Sequence, residues 1–300
     1  MRLMAVVAVV AHARKSIGGG LPELRRVLAR HGCTDPIWYE VRKSRKAGRR
    51  VRSAIDEGAD VIFIWGGDGM VQHCIDAVAS TPPPGAALAI IPAGTANLLA
   101  SNLGIRPDID AAVRTGLYGQ RRPLDTGSVN GEHFAVMAGA GFDAEMIGRA
   151  DRAMKSRTGR LAYLFAGAAS LAVRPVKAVI KVDGERFYRG RVSCVLAGNV
   201  SKTMGGFNVF PAAEPDDGIL DLGIVTASNP AQWASVFTRI AVGKADGSKY
   251  VRFARGTKFT ASFSRPIRYQ VDGGDREFVT KLRLKVHPAA VKICVPPNAQ

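Results

Sequence analysis

The chain reads as an α/β protein in which a doubly wound parallel sheet precedes a mainly antiparallel β sandwich. Strand-like and helix-like stretches alternate from residue 3 to about residue 120, the pattern of β-α units that build a parallel sheet. Past Leu124 the pattern changes to short alternating strands joined by Asn-Gly and Asp-Gly dipeptides, which signal hairpins. The length of 300 residues, 47% of them hydrophobic, suits one large or two ordinary domains with buried cores.

The first part runs strand "LMAVVAVV", helix "LPELRRVLARHG" with Gly32 as its stop, strand "PIWYEV", and helix "RKAGRRVRSAIDEGA". There follow strand "DVIFIW", helix "VQHCIDAVAS", strand "ALAIIP" and the helix-like "TANLLASNLG". In such a sheet a ligand sits beyond the carboxyl ends of the strands. The second part offers "DTGSV" and "EHFAVMA" around Asn-Gly, then "VKAVIKV" and "ERFYRGRVSCVLA" around Asp-Gly. After "GILDLGIV" and "KFTASFS", a further Asp-Gly pair follows "IRYQV", and "LRLKVHP" and "AVKICVP" close the series. The expected domains are 1–124 and 125–300, with the C-terminal tail returning to the first. One helical island, 144–175, interrupts the strands.

Lys and Arg outnumber Asp and Glu by 42 to 25, a formal charge of +17 that favours polyphosphates, nucleic acid or an anionic membrane surface. The four cysteines form no CxxC pair and read as free thiols of a reducing cytosol; the five histidines do not cluster, which argues against zinc. The apolar start resembles a short signal segment, but it lacks a cleavage continuation and reads as a buried first strand.

Chemistry concentrates in "VIFIWGGDGMVQHCIDAV", residues 61–78, a buried strand, a glycine corner and a helix. Gly66, Gly67 and Gly69 let a phosphate chain approach the backbone, and the helix start attracts anions. Asp68 would repel a phosphate there unless Mg²⁺ bridges the two or the carboxylate takes a proton from an attacking hydroxyl, and either role points to phosphoryl transfer. An ordinary β-α turn capped by Asp is the plainer alternative. A second strand-loop-helix unit, "LAIIPAGTANLLASNLGI", places Gly94, Thr95 and Asn97 at the end of a neighbouring strand, so two such loops converge on one crevice.

With these stretches, and with "VNGEHFAVMAGAGFDAEMI", "GNVSKTMGGFNVFPAAEPDDGILDL" and "YQVDGG" in the same order, the chain resembles the diacylglycerol-kinase-like lipid kinases. That superfamily also holds the sphingosine and ceramide kinases. The resemblance implies ATP and Mg²⁺, an N-terminal domain similar to NAD kinase and phosphofructokinase, a β-rich second domain, and a lipid alcohol such as diacylglycerol or a sphingoid base as acceptor. By position it implies that Gly66, Gly67, Asp68 and Gly69 form the triphosphate loop, with Gly94 and Thr95 helping to hold the nucleotide. Lys15 and Ser16 match the opening of the nucleotide site, where Ala13 replaces the family's asparagine.

The resemblance also implies a structural Mg²⁺ held by the Asp217 side chain and the carbonyls of Glu214 and Ile219, against which Asp217 reads as a turn residue before Gly218. Met70 stands where most bacterial relatives have threonine. Gly274 replaces a glutamate that looks like the family's general base. The reading assigns the base to Asp275 with Asp272 as its orienting partner, and leaves open the reverse and Asp68.

In the helical island, "LAYLFAGAASLAV" is too short for a span that needs about 20 residues. It reads first as a buried core helix with a solvated basic end, and its basic flanks make docking on anionic lipid the alternative. The expected place is cytoplasmic, with peripheral attachment at the inner face of the membrane as the alternative, in lipid metabolism and phospholipid synthesis. Homodimerisation is left open. NAD kinase is the rival enzyme. A catalytically weak lipid-binding relative and a nucleic-acid binder are the rivals of other kinds, although no nucleic-acid recognition motif occurs, so no nucleic-acid partner is expected.

Overall fold

The computed structural model describes residues 5–80, 85–141, 175–203 and 207–297. The chain forms two compact units, 1–126 with 289–300, and 127–288. The helical island with its basic flanks falls almost wholly outside the described residues.

The first unit is built on β1 (Val7–His12), β2 (Ile37–Val41), β3 (Val61–Gly66) and β4 (Ala87–Pro92). They pair in parallel in the order β2-β1-β3-β4, and Lys292 and Ile293 of the last strand, β16 (Gly274–Val295), extend the sheet beyond β4. Both β3 and β4 are buried at every position, as strands covered on two faces must be. The covering helices are α1 (Gly20–Arg30), α2 (Ala47–Asp56), α3 (Asp68–Ala79) and α5 (Ile109–Tyr118), joined by the short α4 (Leu98–Asn102). Leu24, Val27 and Leu28 of α1 and Ala112 and Val113 of α5 pack with Val9, Phe63 and Trp65 in one core.

Helix α5 was not anticipated by the periodicity. Its signal is local: Asp108 accepts a hydrogen bond from the Ala111 N–H at 2.7 Å and so caps its start. The helix-like "TANLLASNLG" is helical only over α4, because Asn97 adopts left-handed backbone (φ 48°) at its N-terminus.

The second unit takes in the end of β5 (Gln120–Val129), then β6 (Glu132–Phe134), β7 (Met137–Ala140), β8 (Val176–Val182), β9 (Glu185–Val192) and β10 (Cys194–Gly198). After the two-residue strands β11 (Lys202–Thr203) and β12 (Phe207–Asn208) come β13 (Leu220–Val225), the helix α6 (Pro230–Ala241), β14 (Val251–Gly256), β15 (Lys258–Val271) and most of β16. The antiparallel order is β14-β13-β10-β7-β15-β16, and the first half of β15 carries the β8-β9 hairpin. "KFTASFS" and "IRYQV", read as separate strands, are one bent strand, with a break in register between Ser262 and Ile267 around Pro266. Helix α6 was also missed, although Asn229 capping it and Pro230 at its first turn are legible start signals.

Candidate active site

In the first unit the strand order reverses at β1, which has β2 on one side and β3 on the other, and ligands bind at such a switch point beyond the strand ends. The loops after β1, β3 and β4 all carry expected site residues. Lys15 and Ser16 follow β1 and are exposed; the Lys15 carbonyl accepts a hydrogen bond from Trp65 Nε1 at 2.9 Å, which ties this loop to the end of β3. Gly66 pairs with Pro92 at the ends of β3 and β4. Beyond them Gly67 and Gly94 touch: a Cβ on Gly94 would stand 2.5 Å from the Gly67 Cα, and one on Gly67 would stand 2.9 Å from the Gly94 Cα. Any side chain at either position would force the two loops apart.

Asn97 builds the second loop. Its Oδ1 accepts from the Gly94 N–H at 2.9 Å and its Nδ2 donates to the Gly94 carbonyl at 3.0 Å, so its side chain closes the turn and leaves the exposed Thr95 at the tip. Gly69 is exposed, with open space where its Cβ would be. Met70 is buried, and a Cβ on Gly66 would meet its sulfur at 2.8 Å. The missing hydroxyl at this position is thus a packing residue beneath the loop.

Asp68 opens α3 and links the loops: its Oδ1 accepts from the Leu98 N–H, at the start of α4, at 2.5 Å. Burial pushes its carboxyl above the ordinary Asp range, and the N–H groups of Leu98 and Asn97 only partly offset that. A half-buried carboxylate beside two glycine corners and the first-turn N–H groups of a helix can position a metal-bound phosphate or accept a proton.

In the second unit, β15 and β16 join through Asp272 and Gly273, both with positive φ (44° and 80°), a two-residue turn of the kind Asp-Gly favours. Asp272 is buried, and its carboxylate accepts from the backbone N–H groups of Ala135 (2.9 Å), Val136 (3.0 Å) and Met137 (2.8 Å). Those bonds commit it to holding the β6-β7 connection. Asp275 is exposed opposite Gln270, with Oδ2 at 3.6 Å from Arg268 Nη1. Beside them lies a pair that sequence reasoning missed. Arg276 grips Glu132 through Nε at 2.7 Å and through Nη2, while its Nη1 stands 2.9 Å from where a Cβ on Gly274 would be. Nothing in the spacing of Glu132 and Arg276, 144 residues apart, signals this.

Asp217 also has partners within the chain. Its Oδ1 accepts from the Ile219 N–H at 3.0 Å and its Oδ2 pairs with Arg255, which also reaches the buried Asp221 at 3.3 Å. Glu214 is exposed and Ile219 half-buried. A guanidinium therefore supplies the positive charge where the resemblance puts a structural cation, and the residues as placed do not fit one. Among the described residues no group of three His, Cys, Asp or Glu is arranged to hold a metal. Mg²⁺ bound with a nucleotide needs no such cage, since one or two carboxylates plus phosphates suffice, and Asp68 fits that role.

Such a two-unit architecture is shared with solved kinases. Over 98% of both chains it is similar to the crystal structure of a diacylglycerol kinase from Bacillus anthracis strain Sterne, with a TM-score of 0.74 and 18% identity. It is more distantly similar to an NAD kinase from Archaeoglobus fulgidus in complex with ATP, with a TM-score of 0.53 and 13% identity over 96% of this chain and 93% of that one. The sequence itself matches the diacylglycerol kinase catalytic domain over residues 11–129 and the YegS C-terminal NAD kinase beta sandwich-like domain over 136–295. It is 31% identical to a diacylglycerol kinase of Bacillus subtilis strain 168 over 217 residues, 71% of each chain. The chain belongs to the diacylglycerol kinase family of lipid kinases, which are phosphotransferases.

Proposed function

We propose that this kinase transfers the γ-phosphoryl group of ATP to the hydroxyl of a lipid alcohol, diacylglycerol or a sphingoid base, and requires Mg²⁺. The observation that carries the reading is the contact between Gly67 and Gly94, with Asp68 bonded across to Leu98, at the carboxyl ends of β3 and β4. The contact sets the two glycine corners side by side, and the exposed Gly69, with open space at its Cβ position, lets a polyphosphate approach the backbone N–H groups at the start of α3. In the reaction the lipid oxygen bonds to the γ-phosphorus, the bond to the β,γ-bridging oxygen breaks, ADP leaves, and the hydroxyl proton passes to a base. Mg²⁺, when bound, supplies charge neutralisation on the phosphates.

Asp68 is our choice for the proton acceptor, because burial holds its carboxyl closer to neutrality. Asp272 positions backbone, and Asp275, exposed beside Arg268, is second choice. Labelled ATP, Mg²⁺ and the full chain incubated separately with diacylglycerol, a sphingoid base and NAD test the reading. Label in a chloroform-soluble product supports it, and label in NADP alone would replace it with the NAD kinase reading.

A further inference from the structure

We infer that the outer face of the β9-β8-β15-β16 sheet docks this enzyme on anionic bilayers. The bilayer as partner rests on the lipid-kinase reading. Directly opposed residues of neighbouring strands point to the same side of a sheet. On the inner side, Ile180, Ala261, Phe263, Leu282 and Leu284 belong to the buried core. The outer side follows from the register. One row across the strands runs Arg189, Val179, Ser262, Lys281, and the next runs Arg186, Lys181, Thr260, Arg283. At one end Lys177 lies directly opposite Arg191, and at another Lys258 lies directly opposite Lys285. Like charges so placed weaken a sheet.

Glu185, opposite Val182 at the hairpin end, is the one carboxylate in the paired stretches 176–182, 185–192, 258–264 and 281–286. Asp183, the carboxylate beside Lys258, is already held by the N–H groups of Thr257 and Lys258 and by the Thr257 hydroxyl. Cations therefore face one another across a strand of hydroxyls, and Lys177, Arg189, Arg191, Ser262 and Ser264 line a concavity of about 680 Å³ between them. Lysine, guanidinium and hydroxyl donors around a shallow trough match a lipid phosphodiester headgroup. The bilayer is favoured over nucleic acid by the lack of a stacking platform. Phe187, unpaired in a bulge of β9 and 38% exposed, is a single ring, whereas single-strand binders stack successive bases and one rim aromatic suits an interfacial anchor.

The test is co-sedimentation of the full chain, without ATP, with vesicles of equimolar phosphatidylglycerol and phosphatidylcholine, and with phosphatidylcholine alone. Binding to the anionic vesicles only is expected. Lys177→Gln/Arg189→Gln/Arg191→Gln should weaken it on the order of a hundredfold, about fivefold per cation. Lys281→Gln/Arg283→Gln/Lys285→Gln should do the same if the first triple fails to fold. Arg26→Gln/Arg49→Gln/Arg52→Gln, exposed positions of the first unit, should change little. An equal loss in that control, no loss in the face variants, or face-dependent binding to duplex DNA without vesicle binding would each overturn the proposal. Because no acceptor or ATP is present, these outcomes are read independently of turnover, and a failure of the kinase reading shows separately in the labelled-ATP assay.

Discussion

At Asp68 a single carboxylate is asked both to stay charged near phosphate and to sit half-buried against Leu98. Burial raises its folded-state pKa above its unfolded value, so the ionised form is disfavoured in the folded protein. That cost is fully present above the folded pKa and is relieved as pH falls toward the unfolded value of about 3.9. Asp68→Asn, which keeps an acceptor for the Leu98 N–H, should therefore hold or raise the Tm at pH 7, with the gain shrinking toward pH 4 in calorimetry. Asp272 and Asp275 make the opposite contrast. Asp272→Asn places an amide among the N–H groups of Ala135, Val136 and Met137 and should cost about 1–3 kcal/mol. Asp275→Asn should leave both the Tm and kcat within a few fold of the parent; a kcat loss of 10²-fold or more, with the Tm kept, would make Asp275 the base.

At the scale of elements, the connections are fixed by polar contacts that no periodicity reveals. The Asp217–Arg255–Asp221 cluster joins the turn before β13 to β14 and leaves Asp221 buried with the guanidinium as counter-charge. Arg255→Met should destabilise by on the order of 2 kcal/mol, tempered by the exposure of Arg255. Mg²⁺ added without nucleotide should leave the Tm of the parent unchanged. Ser128 Oγ lies 2.8 Å from His287 Nε2, and the His133 ring centroid lies 4.6 Å from that of His287. Burial, His133 and Lys285 lower the His287 pKa, so the unfolded chain binds the proton first. Stability should thus fall as pH drops through about 6.5, and His287→Asn should flatten that slope in urea titrations. The sequence made the strands and both glycine loops legible, because burial and turn chemistry write a period and a dipeptide. Asp272 could be placed in a turn, but not recognised as a clamp on residues 135–137, because that bond depends on where two distant segments meet. The late start of α4 was illegible for a similar reason: Asn97 takes its left-handed conformation to bond Gly94, and nothing in the helix pattern marks that.

For the whole molecule, the charge of +17 is distributed with a purpose that composition leaves open. The second unit carries the basic sheet face and the first the glycine-built site, which on the proposed reading would hold a surface and handle phosphate respectively. Among the described residues no helix is long and apolar enough to cross a membrane. The central claim is that the corner built by Gly67, Gly94 and Asp68 transfers phosphate from ATP to lipid. The most direct measurement is label transferred from γ-labelled ATP to a total lipid extract by the parent and by Asp68→Asn, each shown to be folded by its Tm. The account predicts a labelled lipid with the parent and a loss of at least about 10²-fold with the variant. A folded Asp68→Asn that labels lipid at the parent's rate would contradict it.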